Sequence, residues 1–391
     1  MAKDAPRTDG ILVEEPPYPH AIIPTPRVEN HASFLHYLPD GTLAAVWFAG
    51  EREGVPDVRI QMSRFDEVEG RWSPAEFVSP SSSQSHQNPV LASLSDGTVW
   101  LLYTAQELGS QDTAVVMRRV SADGGRTWSD PEPLIEDRGV FIRQDLVTLE
   151  DGTLLLPIFR CELPPGRQWH GDTDTSYVLR STDAGETWSE IPVPASLGAV
   201  HMNIVPFEDG KLVAFFRSRW ADAVYRSVSN DQGLTWHEPV PLTVPNNNSS
   251  IQMRRAPHLG PDTVLAVLNP VAAEPGAADG DIDRPLDPTK ITAPGSIEPL
   301  ARHTVWGIDR IPLSLLRSDD RGVTWTRLTD LETRDSVPDE VIERAAEDRA
   351  MEMSYPTLVI APSGSVHVSY SYCRLAIKHM IVPSEKLGAR A

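Results

Sequence analysis

Apolar residues along this 391-residue chain come in short runs broken by tight polar turns, and the arrangement returns six times. The run at 31–38 meets Asp40-Gly41 and is followed by a second run at 42–48. The unit recurs at 87–94 with Asp96-Gly97, at 144–149 with Asp151-Gly152 and at 201–207 with Asp209-Gly210. A fifth run, 251–259, turns at Gly260-Pro261-Asp262, and a sixth, 354–360, turns at Ser363-Gly364. Asp-Gly between two β-rich runs is a strong hairpin signal, because glycine takes the positive φ that the turn demands. Gly41, Gly97, Gly152 and Gly210 lie 56, 55 and 58 residues apart, which marks a repeat architecture.

A second motif is interleaved with the hairpins. The pattern S-x-D-x-G-x-T-W occurs at 121–128, 181–188, 229–236 and 318–325, with a degenerate copy around Gly70-Arg71-Trp72. Its aspartate can hold the N–H groups of a turn, its glycine relieves strain, and its tryptophan is expected to bury its ring between neighbouring sheets. Strand, turn, strand, strand, box, strand makes one four-stranded blade. Six such units predict an all-β, six-bladed β-propeller of antiparallel blades in a single domain over 1–391. The sixth blade lacks its box and its last strand, so the segment 11–23 is expected to complete it and close the ring. Two insertions break the period. Residues 271–305 read as a loop in blade five, and 335–351 read as a short helix before blade six, with Ser336 and Asp339 as cap candidates.

Charge narrows the partners. Thirty-five basic against 55 acidic residues give a net charge of −20, which disfavours nucleic acid and anionic membrane. No signal-type h-region and no long apolar span occur, and Cys161 and Cys373 form no framework. The expectation is a soluble, cytoplasmic chain of unknown oligomeric state. Asp279, Asp281 and Asp283 imitate the opening of a calcium loop, but Lys290 stands where a bidentate glutamate is required, so neither a metal nor another cofactor is expected.

The boxes and the spacing resemble the sialidase superfamily, in its BNR-repeat, sialidase-like branch, over nearly the whole chain. Further stretches carry the likeness: His31-Ala32-Ser33 before Asp40-Gly41-Thr42, Trp47-Phe48-Ala49-Gly50-Glu51-Arg52-Glu53-Gly54 with Asp57, Asn88-Pro89-Val90, Phe216-Arg217-Ser218 and Ser354-Tyr355-Pro356. The resemblance implies three arginines that grip a carboxylate, a tyrosine–glutamate pair as nucleophile and an aspartate acid/base. Here His31-Ala32-Ser33 stands at the family's Arg-Ile-Pro motif, and the loop after the first hairpin offers Glu51, Glu53 and Asp57. The same propeller is similar to other exo-acting carbohydrate enzymes, including arabinanases and a rhamnosyl-glucuronate lyase.

In a propeller, innermost strands start and second strands end on one face, so polar residues at those places converge on a central pocket. Strand starts supply His31, His86, Gln87, Asn88, Arg143, Gln144, Asp145, His201, Asn203, Gln252, Arg254, Glu352 and Tyr355. Hairpin ends supply Glu51, Arg52, Arg160, Arg217, Arg219, Asn269, Tyr372 and Arg374. His31, Asp57, His201, Glu352 and Tyr355 are the catalytic candidates. Glu51, Arg52, His86, Asn88, Arg143, Gln144, Asp145, Asn203, Arg217, Gln252, Arg254 and Arg374 are the substrate-binding ones. Each has a structural alternative: Arg52 and Asp57 can brace the first blade as an ion pair, and Tyr355 can pack in the core. His201 and Asn203, two apart on one strand, are expected to share a face, and Arg219 to reach towards solvent. Three classes fit this inventory. An exo-glycoside hydrolase ranks first, removing a terminal sugar, expected to be acidic, with paired carboxylates or a tyrosine. A uronoside lyase working by β-elimination is close behind. A non-catalytic glycan binder is last.

Overall fold

The computed structural model describes residues 8–107, 111–162, 169–274, 302–348 and 351–388. They form six antiparallel sheets arranged as a six-bladed β-propeller. Blade one runs Glu29–Tyr37, Leu43–Gly50, Arg59–Asp66 and Arg71–Trp72 from the axis outwards. Blade two runs Ser85–Ser93, Val99–Gln106, Val115–Ser121 and Glu132–Ile135. In blade three the innermost strand is split into Val140–Phe141 and Val147–Thr148, ahead of Leu154–Arg160, Thr175–Ser181 and Ser189–Pro192. Blade four is Ala199–Pro206, Leu212–Ser218, Ala223–Ser229 and Val240–Pro245, and blade five is Gln252–Arg255, Val264–Leu268, Leu313–Ser318 and Thr326–Glu332. Blade six holds Met353–Ile360, Val366–Tyr372 and Ala376–Val382, and His20–Ile23 is its outer strand.

The ring closes as the missing strand required, but with less of the segment than expected. His20 pairs with Met380 and Ile23 with Ile377. Earlier residues turn the other way: Leu12 donates to Gly70 O at 2.8 Å and Ile11 bridges to Arg71, in blade one. Pro16, Pro17 and Pro19 separate the two parts, since proline supplies no N–H for a continuous ladder.

The boxes lock each blade to the one before it. In blade two the Ser121 hydroxyl accepts from Gly125 N at 2.7 Å, while Asp123 accepts from Thr127 N at 2.8 Å and from the Thr127 hydroxyl at 2.5 Å. The bonds repeat around Asp183, Asp231 and Asp320. The Thr187 hydroxyl and amide hold the Asp183 carboxyl down at about 2. The tryptophans are less enclosed than expected. Trp236 is buried, but Trp128, Trp188 and Trp325 are half-buried, each lying over the glycine of its own turn at the outer rim of the seam. The tight contact is made by that glycine instead. At Gly322, φ is +77°, and a Cβ there would stand 2.2 Å from Cζ of Phe215 in blade four.

The predicted helix forms at Asp339–Asp348, after a 3-10 turn at Arg334–Ser336, and buries Val337 and Val341 against blades five and six. Most of the 271–305 insertion, with Asp279, Asp281, Asp283 and Lys290, lies outside the described residues. Among the described residues no helix is long and apolar enough to cross a membrane.

Neutral histidines stitch further seams. His36 binds the Ser93 hydroxyl at 2.8 Å between blades one and two. His367 meets His379 at 3.0 Å, and His379 Nδ1 accepts from the Trp72 indole at 3.1 Å where blade six meets blade one. Burial lowers His36, His86 and His367 to about 4.

Two outcomes follow from this packing. Gly322→Ala should destabilise the fold by about 2–4 kcal/mol, combining left-handed strain with overpacking against Phe215. Gly210→Ala, where a Cβ meets nothing within 4 Å, should cost only the strain, about 1–2 kcal/mol. Urea unfolding of both variants reads the difference. The histidines bind protons more weakly folded than unfolded, so their stabilisation is complete above 6.5 and is lost as pH falls towards 4. The urea midpoint should therefore drop over that window, and His36→Gln should flatten the drop.

Candidate active site

A repeated backbone irregularity builds the site. The innermost strands of blades one, two, four and six each lose register near the axis end of the ladder: between His31 and Phe34, Gln87 and Val90, Val200 and Asn203, and Ser354 and Thr357. Ala32, Asn88, His201 and Tyr355 sit in these bulges with φ of +55°, +49°, +53° and +50°. A bulge with a left-handed residue breaks the two-residue alternation and re-aims side chains. Such backbone at a non-glycine residue is strained, and four copies on one face mark a site.

The resulting funnel is lined by His31, Phe48, Glu53, Gln87, Asn88, Gln111, Phe141, Phe159, His201, Arg217, Arg219, Trp306 and Tyr355. Tyr355 is its centre. Its hydroxyl accepts from Arg217 Nη1 at 2.8 Å, and its ring lies 4.3 Å from that of His31 and 5.8 Å from that of His201. Burial alone would raise the phenol, but the Arg217 and Arg310 guanidinium groups outweigh it and hold Tyr355 below its ordinary 10.0. Burial lowers Arg217 to about 9, which leaves it charged at neutral pH. Its Nε donates to Asn248 Oδ1 at 2.7 Å, while its buried Nη2 has no partner among the described residues. Burial, reinforced by the surrounding arginines, keeps His201 neutral, with Nδ1 3.0 Å from the Ser250 hydroxyl and Nε2 3.4 Å from Arg217.

The other cations are committed. Arg219 donates twice to Asp174, at 2.9 and 2.6 Å, and lies between the rings of Phe159, Trp169 and Trp306. It is buried rather than reaching solvent, because that aromatic wall covers it. Arg374 donates to Glu29, Glu53 and Glu352, and Arg310 to Glu352 at 3.2 Å. Glu352 also accepts from the Ser354 hydroxyl at 2.7 Å and lies 3.5 Å from His31 Nδ1. Arginine charge holds its carboxyl low although it is buried.

Of the residues expected at the pocket, His31, Gln87, Asn88, His201, Arg217, Arg219 and Tyr355 line it, and Glu352 and Arg374 stand directly behind. The others are placed elsewhere. Arg143 is a brace, donating to the carbonyls of Ser33 at 2.9 Å and Tyr355 at 3.0 Å. Gln144 donates to Ile251 O, and Asp145 accepts from Arg254 at 2.6 Å and from Gln252 at 3.3 Å, so these four tie inner strands together. Asn203 does not share a face with His201. The bulge turns it to accept from Met253 N in blade five. His86 is held between the Ser79 and Ser82 hydroxyls. Glu51 and Arg52 are exposed on the first loop, and Asp57 is paired with Arg27 instead of Arg52, which anchors the loop to the chain before blade one. Among the residues linked with the pocket, Phe48, Gln111, Phe141, Phe159, Trp306 and Arg310 escaped the sequence reading. Phe159 had a signal in its hairpin-end position, whereas Trp306 and Arg310 follow an insertion that no repeat pattern indexes.

The comparisons with known proteins agree with this architecture. The BNR repeat-like domain matches residues 41–368. None of the curated proteins matches the chain. Among solved structures, a Hadza microbial sialidase is similar at 18% identity and a TM-score of 0.67, over 92% of this chain and 66% of that one. The intramolecular trans-sialidase from Ruminococcus gnavus, in complex with oseltamivir carboxylate, is similar at 13% identity and a TM-score of 0.63, over 93% and 96%. A protein of unknown function from Dyadobacter fermentans is similar at 15% identity and a TM-score of 0.65, over 93% and 97%. The chain thus spans just under two thirds of the first of these and nearly all of the other two. At such identities the structural likeness establishes the sialidase-type propeller, and the domain match over most of the chain establishes membership: this chain belongs to the BNR repeat-like domain family.

Proposed function

We propose that this protein is a carbohydrate-active enzyme that hydrolyses a terminal, carboxylate-bearing sugar from a glycan bound in the funnel. The carrying observation is Arg217. Among the described residues it is a buried guanidinium with no carboxylate partner, and one of its amino groups is unpaired beside the pocket. A buried cation in that state favours an anion, either the Tyr355 phenolate or a ligand carboxylate. The names of the similar structures, sialidase and trans-sialidase, support a glycan as the ligand class.

In this reading Tyr355 attacks the anomeric carbon while the glycosidic bond breaks, and Glu53 gives its proton to the leaving oxygen. Water then attacks the tyrosyl intermediate, returns a proton to Glu53 and releases Tyr355. Arg217 holds the carboxylate, and Phe159 and Trp306 wall off solvent. A second reading rests on the partner of the Tyr355 hydroxyl, which is a guanidinium where the resemblance implies a glutamate. A phenolate stabilised by arginine also suits removal of the proton beside a uronate carboxylate, with β-elimination of the leaving oxygen. The assay that tests both supplies aryl glycosides and uronic-acid oligosaccharides and records released alcohol together with absorbance of the unsaturated uronate. Saturated product supports hydrolysis, unsaturated product supports elimination, and binding without either product overturns both.

Tyr355→Phe should lower turnover by about 10²–10⁴-fold with melting temperature unchanged, the scale of a positioned proton-transfer or nucleophilic group. Arg217→Gln removes the charge that favours the phenolate. The tyrosine titration assigned to Tyr355, by ultraviolet difference against Tyr355→Phe, should therefore move to higher pH. The same change should weaken binding of an acidic glycan by about 1.5–3 kcal/mol, and leave its carboxyl-reduced analogue nearly unaffected.

A further inference from the structure

One guanidinium beside the funnel gathers three carboxylates from opposite sides of the closing seam. Arg374 follows the second strand of blade six and sits at φ +56°. Its Nη1 donates to Glu29 at 2.9 Å and to Glu53 at 2.5 Å, and its Nε to Glu352 at 3.0 Å. Glu29 opens blade one and also accepts from the Glu53 backbone N–H at 3.0 Å, so it grips the same loop residue a second time. The Arg374 carbonyl accepts from Asn30 N at 2.6 Å, fastening its backbone to blade one. Arg310 also donates to Glu352, at 3.2 Å. All of these side chains are at least four-fifths buried. Of the three carboxylates, Glu53 is the one that lines the funnel.

We propose that Arg374 is a positioning residue for Glu53, fixing that carboxylate at the funnel wall while Glu29 and Glu352 compete for the same guanidinium. The proposal rests on the assignment of Glu53 as proton donor but adds to it the device that sets the donor's proton affinity. Glu29 and Glu352, gathered on the same guanidinium, favour the protonated form of Glu53, because like charges this close resist ionising together, whereas Arg374 favours the ionised form. Among the described residues, the groups that act on Glu53 or share its partners include Glu29, Glu352, Arg374, Tyr355 and Arg310.

The signs of the two perturbations are opposite. Arg374→Met removes a cation, so Glu53 should titrate at higher pH, by about one unit or more. Glu29→Gln removes a competing anion and keeps an acceptor for the Glu53 N–H, so Glu53 should titrate at lower pH by a similar amount. The experiment is carbon-13 NMR titration of glutamate-labelled full-length protein without substrate, with the Glu53 signal assigned by its loss in Glu53→Gln. Opposite shifts support the proposal. No shift in folded Glu29→Gln, or shifts of the same sign in both variants, overturns it. Should Arg374→Met fail to fold, Glu29→Gln alone decides. Where an active substrate is found, the basic limb of kcat/KM should follow the NMR values. Glu53→Gln should slow poor leaving groups far more than activated aryl ones. Equal slowing of both would overturn Glu53 as proton donor and leave the positioning result standing.

Discussion

Everything in this molecule depends on closing the ring. Without the early segment, blade six would end at Ala376–Val382, a long unpaired outer edge that is both unstable and sticky. The four residues His20–Ile23 cover it by pairing with Ala376–Val382, so blade six ends in a short edge strand and the first segment of the chain is held by the last. The same seam carries the Trp72–His379–His367 contacts on its outer side and the Arg374 cluster at the funnel. Fold closure and the electrostatics of the site are therefore one construction.

Within the closed ring, the bulges convert a core strand into a functional one. A regular inner strand would send alternate side chains into the seams, which are apolar. The left-handed residue at His201 and Tyr355 instead turns an imidazole and a phenol inward, while the rest of each strand keeps packing. Neighbouring polar residues are then spent on holding the strands in place. Arg143 caps the carbonyls that the bulges leave, and Asp145, Gln252 and Arg254 link the strands across the axis.

Charge explains why so few of the available cations face a ligand. The chain carries 20 more acidic than basic residues, and most guanidinium groups near the axis end meet a carboxylate. Arg217 is different because its neighbours are an amide, a phenol and a neutral imidazole. Its charge remains for the funnel, and the low proton affinity of Tyr355 is the local consequence.

Local pattern was enough for the blades. Asp-Gly turns, β-rich runs and S-x-D-x-G-x-T-W boxes act through contacts a few residues apart, so their spacing yields six hairpins, the short helix and the need for a closing strand. Position along a strand also marked which ends face the pocket, and that brought out His31, Asn88, His201, Arg217 and Tyr355. What no local pattern contains is the partner of each polar group. Asp57 belongs to Arg27, Asp145 to Arg254, and Glu53 to an arginine 321 residues away. Nor does alternation foresee a bulge at a non-glycine residue, which parts His201 from Asn203. Propensity and periodicity are properties of neighbours in sequence, whereas the choice of which buried charge is neutralised and which stays available arises only when distant blades are brought into contact around the axis.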